Sequence, residues 1–183
     1  MAWDKGFNFR QTSGYVTDGA NSTYVLSADT YPTTRNGVTF GWDVSPTGDR
    51  DRDSALDARL AGIAFGSGVG TFRVDLPSGG TFNISMAVGD ATAIQEGNEV
   101  IVKDGTSPVI TIGPHDTGSA EFYDALDVAY TAANWPANND PSSEAFSSSI
   151  LRLTLEPATT NSAIAHLFVS QVTVTPRFIL GTH

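Results

Sequence analysis

The sequence contains no cysteine, which excludes a disulfide framework and thiolate chemistry and leaves the compartment open. It has only three histidines, His115, His166 and His183, so no zinc spacing is present. Cations are scarce. Ten Lys and Arg stand against twenty Asp and Glu, for a net charge of -10 and a pI near 4.4. Such a surface repels a phosphate backbone, which argues against nucleic acid as a partner, and it favours solubility. No apolar run approaches the roughly 18 residues a membrane-crossing helix needs, so no membrane partner is expected. The opening stretch MAWDKGFNFRQTSGY lacks the apolar centre of a signal peptide. The expectation is export by another route, or a leader already removed.

What is present points to an all-β chain. With 183 residues, the chain fits one domain or one domain with an extension. Glycine is frequent at 18, Ser and Thr are abundant, and only 16% of residues are charged. Short alternating segments recur between turn signals. Phe7 and Phe9 open the first. Tyr24 to Leu26 and Val38 to Trp42 follow, the latter after a turn at Arg35-Asn36-Gly37. Residues 71–76 alternate and end at Pro77-Ser78-Gly79-Gly80, a hairpin-type turn, after which 81–88 alternate again. Residues 99–102 and 109–112 flank a turn at Lys103-Asp104-Gly105-Thr106. Segments 121–130, 149–155 and 164–174 each read as one strand. About ten strands in this order predict an antiparallel two-sheet jelly-roll β-sandwich over 1–174. Pro176 ends the last strand and leaves an arm over 175–183.

The densest charge is Asp49-Arg50-Asp51-Arg52-Asp53. The three Asp occupy the first, third and fifth positions of a calcium loop. However, Ser54 stands where such a loop needs Gly, and Leu60 where it needs a bidentate Glu. The pattern instead predicts Asp and Arg pairing with one another, and one short helix over 54–60 capped by Ser54. No metal and no cofactor are expected.

Hydrolytic chemistry finds no support either. There is no Gly-x-Ser-x-Gly elbow. Gly89-Asp90 is followed by Ala91 rather than by a nucleophile, so Asp90 reads as a turn-shaping residue. His115, in Gly113-Pro114-His115-Asp116, reads as a solvated turn residue, and the chain reads as not an enzyme. Two segments remain. Residues 131–148 form a long polar loop holding Trp135 among Asn134, Asn138, Asn139 and Asp140. That composition suits either a sugar platform or an aromatic plug that fastens the loop to the sandwich. In the arm, Phe178, Ile179 and Leu180 form a contiguous apolar run suited to anchoring on a partner or on a second copy. Trp42 reads as core and Trp3 as a terminal anchor.

Several short motifs carry a resemblance, in order: Phe7-Asn8-Phe9, Gly41-Trp42-Asp43, Asp51-Arg52-Asp53-Ser54, Phe72 to Gly79, Met86 to Asp90, Val102-Lys103-Asp104-Gly105 and Asn161-Ser162-Ala163-Ile164. Together they resemble galactose-binding-type jelly rolls of the malectin-like and carbohydrate-binding-module group. The resemblance implies two packed antiparallel sheets, a non-catalytic binding role and a ligand site in loops at one end. Some members hold calcium between the first and last strands. Here the matching stretch, Phe168-Val169-Ser170-Gln171, has no carboxylate. The resulting expectation is a virion surface protein of a tailed phage, a head decoration or fibre, with capsid or self-association as partner. The alternative is an extracellular carbohydrate-binding module accessory to a polysaccharide-degrading enzyme, with a surface glycan as partner.

Overall fold

The computed structural model describes residues 3–13, 21–52, 57–135 and 140–173. The strands are β1 (Asp4–Phe9), β2 (Ser22–Val25), β3 (Thr33–Arg35), β4 (Val38–Val44), β5 (Gly48–Asp51), β6 (Gly62–Gly66), β7 (Gly70–Asp75), β8 (Gly80–Gly89), β9 (Gln95–Asp104), β10 (Ser107–Thr117), β11 (Glu121–Tyr123), β12 (Ala129–Thr131), β13 (Ser142–Phe146), β14 (Ile150–Leu155) and β15 (Ser162–Gln171). They form two layers. One sheet has six strands in the order β10-β9-β14-β7-β4-β3. The other has nine, in the order β12-β11-β8-β15-β1-β2, with β13 on β8, β6 on β15 and β5 on β6. Pairing is antiparallel except between β1 and β2, which run parallel.

Period-two alternation builds this sandwich. In β7, Phe72 and Val74 point inward and are buried, while Thr71, Arg73 and Asp75 alternate outward. The same rule turns Leu151, Leu153 and Leu155 of β14 and Val100 and Val102 of β9 into the core. Phe72 sits at its centre, with ring centroids 5.5 Å from Phe7, 5.2 Å from Phe9 and 5.2 Å from Trp42. Such pairs add about 0.5–1.5 kcal/mol each beyond the area they bury. Trp3 packs edge-on against Phe82 at the margin of the core.

A second apolar cluster lies apart from the main core. In β15, a bulge between Ile164 and His166 sets two consecutive residues, Ala165 and His166, away from it. Ala87, Ala163 and Ala165 provide a floor of small side chains. Leu60, Ile63, Phe122, Tyr130 and Trp135 cover it.

Four expectations change. The span 131–148, read as one loop, holds a 3-10 turn at Ala132–Asn134 and the strand β13, which pairs with β8. The turn at Pro77 to Gly80 makes no hairpin: β7 pairs with β4 and β14, and the chain crosses there to β8 in the other layer. A turn signal states that the chain bends, not which layer it enters. Residues 121–130 form two short strands rather than one. Between them, Asp124 Oδ1 accepts the backbone N–H of Leu126 and of Val128, which closes a turn in place of a ladder. The helical element near 54–60 is a single 3-10 turn, Ala58–Leu60, capped by Asp57, which accepts from Arg59 N at 2.8 Å. The proposed cap Ser54 lies outside the described residues, as does the arm with Phe178, Ile179 and Leu180.

Candidate functional site

The charged stretch is sorted by the pleat of β5. Asp49 and Asp51 fasten the chain's early segments: Asp49 Oδ2 accepts from Ser27 N at 2.5 Å. Asp51 accepts from Arg10 Nε at 3.2 Å, from Gln11 N at 3.0 Å and from the Thr12 hydroxyl. The intervening residues engage different groups. Arg50 lies over the Phe65 ring at 4.9 Å, and Arg52 reaches Asp90. For Asp49, Asp51 and Arg52 the expected pairing with one another is therefore replaced by contacts to distant segments, and Asp53 lies outside the described residues. The Asp49 and Asp51 carboxylates are spent on donors in the segments that follow β1 and β2. Among the described residues no cluster of three or more metal-ligating side chains occurs.

Asp90 is fully buried. Arg52 donates to both of its oxygens, and Thr92 N and Gln95 Nε2 donate as well, at 2.9 and 3.2 Å. It thus shapes the turn after β8, and it also anchors the charged stretch. His115 lies within β10 rather than in a turn. Its ring stacks on Tyr123 with centroids 3.9 Å apart, and its Nε2 is 2.7 Å from Asp127 Oδ1.

The loop candidates are divided. Trp135 is 8% exposed, with Arg59 at 4.9 Å over its ring, Tyr130 tilted against it and His166 edge-on. Asn134 and Asp140 are exposed, and Asn138 and Asn139 lie outside the described residues. Beneath Trp135, burial lowers the His166 pKa to about 3, helped by the nearby Arg59 charge. Burial also raises the pKa of the Tyr130 hydroxyl.

A surface that sequence reading did not single out is the outer face of the six-stranded sheet. Register places Arg73 opposite Arg152, and Arg152 opposite Lys103, on the adjacent strands β7, β14 and β9. Three of the ten basic residues of an acidic chain thus stand in one row. Like charges so aligned repel. Each is offset by a carboxylate: Arg73 by Asp75 at 3.0 Å, Arg152 by Asp43 at 3.2 Å and Lys103 by Glu156 at 2.6 Å. Tyr31 closes the row. Arg73 lies 4.0 Å from its ring centroid, and its hydroxyl donates to Asp75 Oδ2 at 2.9 Å. Gly41 makes this possible, because it stands opposite Arg73 and the Tyr31 backbone crosses directly above it. The outcome is a half-exposed array of donors and acceptors, each held by a partner, beside one aromatic ring. The signal in the sequence was the outward parity of Arg73, Lys103 and Arg152, but their alignment needs the strand register. No protein-family model matches this chain, and no curated protein matches it.

Proposed function

We propose that the protein is a non-catalytic structural or binding protein, and that the outer face of the six-stranded sheet is its contact surface. The observation that carries this reading is the row Tyr31–Arg73–Arg152–Lys103, whose charges are held in place by carboxylates on one face of the sheet. Groups so fixed lose little entropy when they bind. A non-catalytic role is favoured by the fate of the most strongly perturbed groups. His166 and Tyr130 are buried under Trp135, where no substrate reaches them. The setting we propose is the surface of a tailed-phage virion, as a head-decoration or fibre protein. That step rests on analogy of fold.

A second reading, an extracellular carbohydrate-binding module, is favoured by the Tyr31 ring beside paired Arg and Asp side chains. This combination can stack on a sugar ring and hydrogen-bond its hydroxyls. The test is to compare wild type with Arg73→Ala/Arg152→Ala in capsid co-sedimentation and on a glycan array. Loss of capsid attachment supports the virion reading, and loss of a glycan signal the second. If wild type attaches to neither, or the variant attaches as well as wild type, the face is not the contact surface.

A further inference from the structure

A pocket of about 160 Å³ opens on the other sheet, among Arg50, Arg52, Phe65, Asp90, Gln95 and Asn161. We propose that it binds a small monoanionic carboxylate with a short apolar body. Three observations converge on this chemistry.

The first is an unused cation. The Arg50 guanidinium lies over the Phe65 ring, with its carbon 4.9 Å from the centroid, and makes no ion pair or hydrogen bond among the described residues. A guanidinium whose N–H groups are engaged by no other residue can grip a carboxylate with two parallel bonds. The contact with Phe65 also pre-sets the side chain, so less rotamer freedom is lost on binding.

The second is the local charge. Arg52 gives Nε and Nη2 to Asp90, and this pair is neutral. Arg50 then leaves the pocket with one net positive charge, inside a chain of net charge -10. One negative charge balances it. A dianion would bring an uncompensated second charge into an acidic field. The carboxylates nearest in sequence, Asp49 and Asp51, are engaged by Ser27 and by Arg10, Gln11 and Thr12, so they do not already satisfy Arg50.

The third is the wall. Ile63 and Ile94 line the same pocket, and Ile94 is 66% exposed, the highest value among the described large apolar side chains that are exposed. An apolar body laid against Ile94 removes that surface from water. The volume accommodates on the order of eight close-packed non-hydrogen atoms, the size of hexanoate.

The experiment uses the full chain and hexanoate as probe, followed by amide resonance shifts. Saturable shifts clustered on residues 63–65, 94–95 and 161 are expected. Hexanamide, which keeps the apolar body and lacks the charge, should bind at least about five-fold more weakly, and so should hexanoate to Arg50→Ala. Arg50→Ala removes an exposed side chain with no ion pair, so its fold should survive, and its unshifted spectrum elsewhere checks this. Ile94→Gln should weaken hexanoate while leaving acetate binding unchanged. The proposal is overturned if hexanoate produces no saturable shift in wild type, if hexanamide binds equally, or if Arg50→Ala binds as wild type does.

Discussion

Arg52 grips Asp90 with two parallel hydrogen bonds, Nε to Oδ1 at 2.9 Å and Nη2 to Oδ2 at 2.5 Å. This pair ties the residue that follows β5 to the turn that follows β8, and Asp90 has no solvent exposure at all. Removing Arg52 strands a buried carboxylate. Arg52→Ala is therefore expected to cost about 3 kcal/mol, read as a lowered urea midpoint. Arg73→Ala, which breaks a half-exposed pair on the opposite face, should cost under about 1 kcal/mol. Equal costs for the two would show that the Arg52–Asp90 pair is not the anchor its burial implies.

Asp51 provides a second test of the charged stretch. Its oxygens already accept from Arg10, Gln11 and Thr12. Calcium would have to displace these donors and sit beside cations. Adding calcium should leave the melting temperature unchanged, while Asp51→Ala should lower it by freeing the segment after β1. A calcium-dependent rise in melting temperature that disappears in Asp51→Ala would contradict this.

The acid limb of stability follows from His166 and Asp104. The His166 pKa falls from its ordinary 6.5 to about 3 in the folded protein, so the unfolded chain binds a proton there that the folded chain refuses. Stability from this residue is complete above about pH 6.5 and declines as the pH falls toward 3. Asp104 is held to about 2 by hydrogen bonds from the Ser147 and Ser148 hydroxyls and then their backbone N–H groups. Its contribution is present above its ordinary 3.8 and is lost as the pH falls toward 2. Two regimes are expected in the unfolding free energy against pH. His166→Leu should flatten the upper one, and Asp104→Asn should alter only the lower. An unchanged slope between pH 6.5 and 4 in His166→Leu would refute the assignment.

How much of this could be read from the chain differs by residue. Phe7, Phe40, Phe72, Val74 and Leu153 showed their inward parity, because alternation is local and the core obeys it. Trp42 as core and Trp3 as an edge anchor were legible for the same reason. The layer assignments of β7 and β8 were not, since Pro77 to Gly80 fits a hairpin and a sheet crossing equally well. Neither were the partners of Arg52 and Asp51, which lie 38 and 41 residues away. Spacing rules reach only the nearest turns, so they offered the charges each other. The row of Arg73, Arg152 and Lys103 depends on the register of three strands, two of which are far apart in sequence. The Ala165–His166 bulge, which sets the Trp135 cluster apart from the main core, has no composition signature at all.

The outer face of the six-stranded sheet rests on Gly41, and this gives the sharpest test of how that face is built. Gly41 has φ +147°, where an L side chain is strained, and a Cβ there would lie 2.6 Å from Tyr31 N and 2.7 Å from Thr30 C. Those are backbone atoms and cannot rotate away. The segment is held down by Tyr31 N to Trp42 O at 3.1 Å and Trp42 N to Asp29 O at 2.8 Å, bonds that Ala at 41 would stretch. Gly41→Ala should therefore lift residues 29–31 off β4, at a cost of about 2–4 kcal/mol. It should also release the Tyr31 hydroxyl from Asp75. Burial and that hydrogen bond raise the Tyr31 pKa, so release should bring it down toward 10.0, which a spectrophotometric titration can follow. Gly37→Ala separates strain from collision, since Gly37 also has positive φ, +69°, but nothing lies within 4 Å of its Cβ position. It should cost only about 1 kcal/mol and leave the Tyr31 titration as in wild type. If Gly41→Ala proves as mild as Gly37→Ala and leaves Tyr31 unmoved, the crossing of Tyr31 over β4 does not position the row, and Arg73 is held by Asp75 alone.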